Sequence, residues 1–280
     1  MRTDESKVEE QTFQMYDQLS WKENDVDGQY PKVKKLRYSK PGTALPAVDL
    51  LIYSLEERLS KKIARDFTVI AFYFSCMAWS VSVQGLSQAF FFKTLNRQQD
   101  IEKLMKAEWD HSAQIIPASW LSSRTSSASE WVTMTPTWFV PESNSYIEID
   151  VPTVGVGKGY SQLLMYELDT GKYIRTLTDI AYPVINVVGV HQVSGTVFFQ
   201  AAPTPHTRHI FKVNVDKPGV VTQISAGSLG TWWQASCNSV NCDWLLLTNG
   251  GPNIPTQLVL QSTALSLSSA VTVNDNPQFT

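Results

Sequence analysis

Apolar and polar positions along the chain alternate in short runs separated by polar turns. Five stretches share one plan, in which an apolar run rich in β-forming residues is followed by a turn segment and a second short run. Their starts lie 52, 62, 47 and 48 residues apart. Because four short strands and their turns take about 40 to 50 residues, this spacing predicts the blades of a β-propeller. The stretches begin at Val48, Asp100, Gln162, His209 and Gln257.

The blade plan is clearest in the second half of the chain. Turn segments such as QVSG, DKPG and NGGPNIP separate the apolar runs there, and their residues favour reversal of the chain. A first complete unit is predicted over 131–178, with a tight turn at 169–172 (DTGK). The strands of the next two units are predicted at 184–190, 196–202, 209–215 and 220–224, and at 231–236, 243–248, 257–262 and 270–273.

The first half of the chain leaves its secondary structure open. Residues 100–116 fit the repeat, but Ile101, Leu104 and Met105 also have helical spacing and Glu102 precedes Lys106 by one helical turn, so local propensity favours a helix. Residues 117–129, rich in alanine, serine and threonine, are predicted to be a loop. No strand returns to close the ring. We therefore expect an all-β fold, an incomplete β-propeller of about four to five four-stranded blades.

One uncharged segment is compatible with two structures. Residues 67–92 carry no charge over 26 positions, which is long enough for a helix to cross a bilayer. Serine and glutamine dilute its hydrophobicity, however, and Trp79, Val81 and Val83 alternate with serines as in a half-buried strand. Buried strands are the preferred interpretation, with a transmembrane helix as the alternative.

Composition and charge exclude several classes of protein. Of the 280 residues, 43% are apolar, close to the ordinary globular share, and only 18% are charged, which argues against a disordered or coiled-coil chain. The net charge of −3 gives no general attraction for phosphate backbones, so no nucleic-acid partner is predicted. The three cysteines are too few for a disulfide-framed scaffold, but Cys237 and Cys242 flank a short loop and are a candidate disulfide.

Motifs that would carry chemistry are weak throughout. The string GLSQA at 85–89 departs from the G-x-S-x-G nucleophile elbow and falls in a predicted strand pair. His206 and His209 lack a nearby carboxylate or thiolate for a metal site. The glycines and lysine of 155–159 have the wrong spacing for a phosphate loop and predict an inter-strand loop. No catalytic residue, metal ligand or cofactor is predicted.

Three segments resemble a known family. Residues 29–56 (QYPKVKKLRYSKPGTALPAVDLLIYSLE), 76–100, with LNRQQ at 95–99, and 247–263, with a G-P-x-x-P turn, are similar to the N-terminal propeller region of dipeptidyl peptidase IV and its prolyl oligopeptidase-type relatives. The resemblance runs from about Phe13 to Pro277. We therefore expect a polar tail at 1–12 and a partial propeller at 13–280, which begins with an extended arm at 13–46.

The resemblance implies a role in proteolysis. Members of this family remove N-terminal dipeptides with a Ser-Asp-His triad held in a C-terminal α/β-hydrolase domain. That domain is the expected partner, and we do not expect this chain to encode it. The propeller is expected to gate and position peptide substrates and to be inactive alone; the alternative is a non-catalytic protein-binding or regulatory module. Substrate-binding residues remain unknown, because neither Glu9 with Glu10 nor Glu56 with Glu57 fits the family's glutamate pair.

The resemblance also bears on how the chain assembles and where it is located. In the family the matching stretch reaches a second subunit, so Tyr30, Val33, Leu36 and Tyr38 are candidate homodimer contacts, on a two-stranded ribbon with one basic face. Residues 1–13 have no apolar core of a secretory signal, whereas the family is found at cell surfaces or secreted.

Overall fold

The described part of the chain is built from β-strands. The computed structural model describes residues 2–15, 32–64, 73–79, 89–125, 131–132, 135–140, 143–225, 230–238, 241–263 and 270–274. Within these ranges every helix or strand assigned is a strand. The first strands are β1 (Arg2–Asp4), β2 (Glu10–Met15), β3 (Lys32–Arg37) and β4 (Ala47–Asp49), where β1 pairs with β4 and β2 with β3.

Five further sheets follow one another along the chain. Sheet I has the order β10-β6-β5 and sheet II the order β11-β9-β8-β7, while sheets III, IV and V are antiparallel meanders of consecutive strands. The strands of sheets I and II are β5 (Leu51–Ser54), β6 (Leu59–Ile63), β7 (Tyr73–Trp79), β8 (Ala89–Leu95), β9 (Ile101–Glu108), β10 (Ile115–Ile116) and β11 (Ala118–Thr125). Sheet III comprises β12 (Trp138–Val140), β13 (Ser145–Asp150), β14 (Gln162–Glu167) and β15 (Tyr173–Thr176). Sheet IV comprises β16 (Val184–His191), β17 (Thr196–Ala201), β18 (His209–Asn214) and β19 (Lys217–Gln223), and sheet V comprises β20 (Trp233–Cys237), β21 (Trp244–Asn249), β22 (Thr256–Gln261) and β23 (Val271–Asn274).

Each sheet packs face to face on the next one in the chain. One buried cluster joins Ile52 and Ile63 of sheet I to Met105 of sheet II, and a second joins Phe91 of sheet II to Tyr146 of sheet III. Two more clusters join sheet III to sheet IV and sheet IV to sheet V. Among the described residues no such cluster joins sheet V back to sheet I. The fold is thus an incomplete all-β propeller, as the repeat spacing predicted.

The interior sheets are apolar on both faces because each lies between two others. In β17, Phe199 packs toward sheet III while its neighbour Phe198 packs toward sheet V. A strand buried on both faces reads as a continuous apolar run. Both faces contribute to burial, so the hydrophobic effect favours stacking over isolated sheets.

Two local predictions in the first half are wrong. The helix favoured at 100–116 is instead β9 and β10. In β9, Met105 faces sheet I and Leu104 faces sheet III, so burial on both sides produced a spacing that also fits a helix. The loop predicted at 117–129 contains β11, which pairs antiparallel with β9; its serine side chains suit the outer strand of a sheet, open to solvent.

The uncharged segment contributes strands. Its described parts are β7 and the start of β8, which pair antiparallel, whereas residues 67–72 and 80–88 lie outside the described residues. In the part of the chain that the structure describes, no helix has the length and apolar character needed to cross a membrane.

Candidate functional site

A buried cluster of charged side chains lies between sheets II and III. Lys93 of β8 is fully buried, and its Nζ lies 2.8 Å from Glu148 Oε1 of β13 and 3.3 Å from Glu102 Oε1 of β9. The same ammonium donates a hydrogen bond to the Thr135 carbonyl at 2.8 Å. Buried charges are tolerated when they are paired and hydrogen-bonded, so Lys93 is the centre of an ionic contact between two neighbouring sheets.

Arg124 closes the cluster toward the surface. From β11 it donates to Glu102 Oε1 through Nε at 3.1 Å and Nη2 at 2.9 Å, and its Nη1 lies 3.2 Å from Asp150 Oδ2. Thr137 donates to Glu148 Oε1 at 2.8 Å. The side chains of Arg124 and Asp150 are 24% and 32% exposed, so the cluster meets solvent only at this end.

The cluster carries more negative than positive charge. Its three carboxylates face two cations, and Glu102 Oε2 is buried without a hydrogen-bond partner. Burial raises the pKa of Glu102 and also raises the pKa of the adjacent Tyr146 to about 12. Lys93, Glu102 and Glu148 are buried, so the arrangement fixes one sheet against the next.

Sequence reasoning missed this cluster. It matched Glu102 with Lys106 as a helical pair, whereas in β9 the two side chains have different partners. Lys106 Nζ lies 2.7 Å from Glu108 Oε1. The available signal was charge next to apolar residues: Lys93 follows three phenylalanines in AFFFKTL, and Glu148 lies between two isoleucines in SYIEID.

An open pocket of about 720 Å³ lies beside the loop that follows β9. Glu57 anchors this loop: it accepts a hydrogen bond from Trp109 Nε1 at 3.1 Å and contacts His111 Nδ1. The hydrogen bond from Trp109 lowers the pKa of Glu57. Lys61 Nζ lies 4.5 Å from the centroid of the Trp109 ring. The lining side chains have both signs of charge and are Lys106, Glu108, Trp109, Asp110, His111, Ser112, Pro117, Ala118 and Ser119.

Two of the predicted arm residues, Val33 and Leu36, lie on β3 of the β2–β3 ribbon, and Tyr38 directly follows this strand. Leu36 is opposite Gln11 and Val33 is opposite Gln14, so these two side chains point to opposite faces. Leu36 and Tyr38 share their face with Phe13 and Met15 of β2, which sequence reasoning missed because it followed one strand only. Tyr30 lies outside the described residues.

The basic residues of the ribbon are divided between its faces. Lys34 is opposite Phe13 and lies on the face of Leu36, whereas Lys35 is opposite Thr12 and lies on the face of Val33. Lys35 Nζ also lies 3.2 Å from Glu10 Oε1. The single basic face predicted from the sequence is therefore wrong, because the spacing of the lysines is not strictly alternate.

The disulfide candidate forms in the structure. Cys237 and Cys242 are joined by a disulfide with a Cα–Cα distance of 4.8 Å at the end of sheet V. The bond packs against Gly189 of β16, where an added Cβ would lie 3.0 Å from Cys242 Sγ. Cys76 lies on β7.

Asp179 contacts the glycine-rich loop at 155–159, which was predicted to be an inter-strand loop. The loop connects β13 with β14, and its Gly157 amide donates to Asp179 Oδ1 at 2.6 Å. An added Cβ on Gly155 would lie 2.7 Å from the same oxygen. A carboxylate of the chain thus already takes the place of an anion.

The two histidines lie in different surroundings. His209 is buried, its Nδ1 lies 3.0 Å from Ser225 Oγ, and burial lowers its pKa, whereas His206 is exposed. No group of three or more His, Cys, Asp or Glu side chains within the described ranges is placed to hold a metal ion. Of the 85–89 string only Ala89, at the start of β8, is described.

Consecutive stacked sheets and a paired ribbon define a partial β-propeller. Comparisons with known proteins identify the family to which this propeller belongs. The model of the dipeptidyl peptidase IV (DPP IV) N-terminal region matches residues 1–256. The chain belongs to this family, which confirms the resemblance noted in the sequence.

Named relatives agree with this placement. The chain is 28% identical over 261 residues to a probable dipeptidyl-aminopeptidase B of Aspergillus clavatus, covering 90% of this chain and 27% of that protein. It is 23% identical over 269 residues to the dipeptidyl aminopeptidase B of Saccharomyces cerevisiae, covering 93% of this chain and 31% of that protein. The chain therefore spans less than a third of the length of these relatives.

Proposed function

We propose that the chain is the propeller portion of a dipeptidyl peptidase IV-like serine exopeptidase, and that it gates and positions peptide substrates for a hydrolase domain carried elsewhere. The observation that supports this most is the family match over residues 1–256, on a chain whose sheets stack in order. Its relatives are named dipeptidyl aminopeptidases.

Rigid stacking suits such a role. A wall that restricts entry has to keep its shape, and the four interfaces between sheets are packed with apolar side chains. The Lys93 cluster adds an ionic contact at one of them. Positioning a peptide in a fixed chamber contributes to catalysis because reacting groups are held in a productive geometry.

Two measurements test the proposal. The purified chain is expected to release no product from glycyl-prolyl p-nitroanilide, with the Saccharomyces relative as positive control; turnover sensitive to a serine-directed inhibitor would contradict the assignment. Sequencing the full transcript is expected to reveal a G-x-S-x-G elbow downstream. A replaced serine or an immediate stop codon would favour the non-catalytic binding module instead.

We further propose that the ribbon joins two copies of the chain. On the face that carries Leu36 and Lys34, the side chains of Phe13, Met15, Leu36 and Tyr38 are 45%, 47%, 44% and 60% exposed, so burying these four between two ribbons would remove apolar surface from water. Two identical faces form a closed, two-fold dimer.

A matched pair of variants tests the dimer. Leu36→Ser is expected to shift the dimer toward lower mass in size-exclusion chromatography with light scattering. Val33→Ser, equally apolar and 59% exposed but on the opposite face, is expected to leave the mass unchanged. An equal effect of both substitutions, or none with Leu36→Ser, would contradict this use of the ribbon.

A further inference from the structure

The disulfide between Cys237 and Cys242 lies at the seam between sheets IV and V. Its two sulfurs are the nearest atoms to the space in front of Gly189 of β16, in the neighbouring sheet. Cys237 Sγ also lies 3.7 Å from the carbonyl oxygen of Val188. Cys242 belongs to the buried cluster that joins the two sheets. The bond therefore fills space between two sheets, and its loss would be felt by both.

The bond acts mainly on the local shape of the chain. Its two cysteines are separated by only 5 positions in the sequence. A disulfide that closes so short a loop removes less conformational freedom from the unfolded chain than one that closes a long loop. Cys242 has a φ of 56°, in the left-handed region that residues other than glycine seldom adopt. We attribute this backbone conformation to closure of the loop by the disulfide.

The two neighbours of Cys242 hold the turn at 192–195, which joins β16 to β17 in sheet IV. The Gln192 amide donates a hydrogen bond to the Asn241 carbonyl at 3.2 Å. Asp243 Oδ1 lies 3.5 Å from Nε2 of His191, whose side chain is buried. Asn241 and Asp243 directly flank Cys242, so both contacts depend on the left-handed conformation at that residue.

The opposite end of the same seam is held without the disulfide. The Arg208 amide donates to the Thr231 carbonyl at 2.7 Å, and the Trp233 amide donates to the Arg208 carbonyl at 2.8 Å. The Arg208 guanidinium carbon lies 5.0 Å from the centroid of the Trp232 ring. These residues follow β17, whereas the turn at 192–195 precedes it, so the two sets of contacts lie at opposite ends of the sheet.

We propose that the disulfide of Cys237 and Cys242 is a redox-controlled clasp, which fixes sheet IV to sheet V at this end while it is oxidised and releases them when it is reduced. The clasp is a property of these two sheets and does not depend on the proposed hydrolase partner. Cys242 is 1% exposed whereas Cys237 is only partly buried, so a reductant attacks Cys237 Sγ.

The reductant is a dithiol, and the exchange proceeds in two steps. One thiolate of the dithiol bonds to Cys237 Sγ, the disulfide breaks, and its electron pair leaves on Cys242 Sγ. The second thiolate of the dithiol then displaces Cys237 Sγ from the mixed disulfide. Each departing cysteine sulfur takes up a proton that the dithiol has lost. The products are two cysteine thiols and one cyclic, oxidised dithiol.

Reduction removes the constraint on the backbone at Cys242. This residue then leaves the left-handed conformation, and Asn241 and Asp243 withdraw from Gln192 and His191. The seam opens at this end, while the hydrogen bonds of Arg208 keep the other end closed. Local opening of this kind is detected by hydrogen exchange, because the exchange rate of an amide reports the breaking of its own hydrogen bond.

Amide hydrogen exchange of the chain, followed by NMR, tests the clasp. In dithiothreitol the Gln192 amide is expected to exchange about tenfold faster than in the oxidised chain, because its bond to Asn241 is lost. The amides of Arg208 and Trp233 are expected to keep their rates. Reoxidation with glutathione disulfide is expected to restore slow exchange at Gln192.

The matched control is the double variant Cys237→Ala with Cys242→Ala. It is expected to exchange as the reduced chain does, with or without dithiothreitol, and mass spectrometry after alkylation counts the thiols in each sample. The proposal is overturned if dithiothreitol leaves the disulfide intact or the Gln192 rate unchanged. It is also overturned if Arg208 and Trp233 exchange faster by the same factor, which indicates general destabilisation, or if the double variant responds to dithiothreitol.

Discussion

Replacing Lys93 by methionine tests the packing of sheet II on sheet III. Methionine retains most of the side-chain volume and removes the charge that compensates Glu102 and Glu148, at 3.3 and 2.8 Å. Glu102 keeps Arg124 as a partner, whereas Glu148 loses its nearest cation. Removing one member of a buried ionic cluster ordinarily costs about 3–5 kcal/mol, because the remaining charge stays buried.

The control is a lysine-to-methionine substitution in a partly exposed ion pair, that of Lys62 with Asp49. Lys62 lies 3.0 Å from Asp49, but the two side chains are 43% and 25% exposed. An ion pair of this kind contributes roughly 0–1 kcal/mol, so Lys62→Met is expected to have little effect.

Urea unfolding measures both variants. The midpoint for Lys93→Met is expected to fall well below that of the wild-type chain with an unchanged m-value, whereas that of Lys62→Met stays close to it. If both substitutions lower the free energy of unfolding by the same small amount, Lys93 is not buried between two sheets and the reasoning fails.

Two further predictions concern pH and packing. Burial raises the pKa of Glu102 in the folded state above its value in the unfolded chain. The stabilisation that comes from protonating this carboxylate is therefore complete below the unfolded pKa and is lost as the pH rises through the folded pKa. Over that pH range, the free energy of unfolding measured in urea is expected to fall for the wild-type chain relative to the Glu102→Gln variant. The same pH dependence in both proteins would refute this. Gly189→Ala should lower stability by about 1–3 kcal/mol, since its Cβ meets the disulfide. Gly250→Ala is the control, because an added Cβ there would make only ordinary van der Waals contacts. An equal loss of thermal stability in both variants would contradict close packing of Gly189 against the disulfide.

Sheets IV and V could be predicted from the sequence because their turns are explicit. The segment QVSG falls between β16 and β17, and DKPG falls at the β18–β19 turn and the start of β19. Sheet II was harder to predict. Its β9 is buried on both faces, and a strand of this kind loses the alternation that distinguishes it from a helix. Serine-rich β11 reads as a loop because its pairing with β9 is not visible in local composition.

The charge cluster could not be predicted from sequence spacing. Lys93 and Glu148 are distant in the chain and meet only when sheets II and III stack. The ribbon was partly predictable. The sequence of β3 shows an apolar residue at Leu36, but it does not show that Phe13 of β2 lies on the same face as Leu36. Faces are decided by register, which depends on both partners.

Methyl nuclear Overhauser effects test the stacked order of the sheets most directly. In a sample labelled at Ile, Leu, Val and Met methyl groups, cross-peaks are predicted between consecutive sheets, for example between Ile63 and Met105 and between Ile210 and Leu245. Cross-peaks that skip a sheet, joining sheet I to sheet III or sheet III to sheet V, or helical chemical shifts over Ile101–Glu108, would contradict the fold described for this chain.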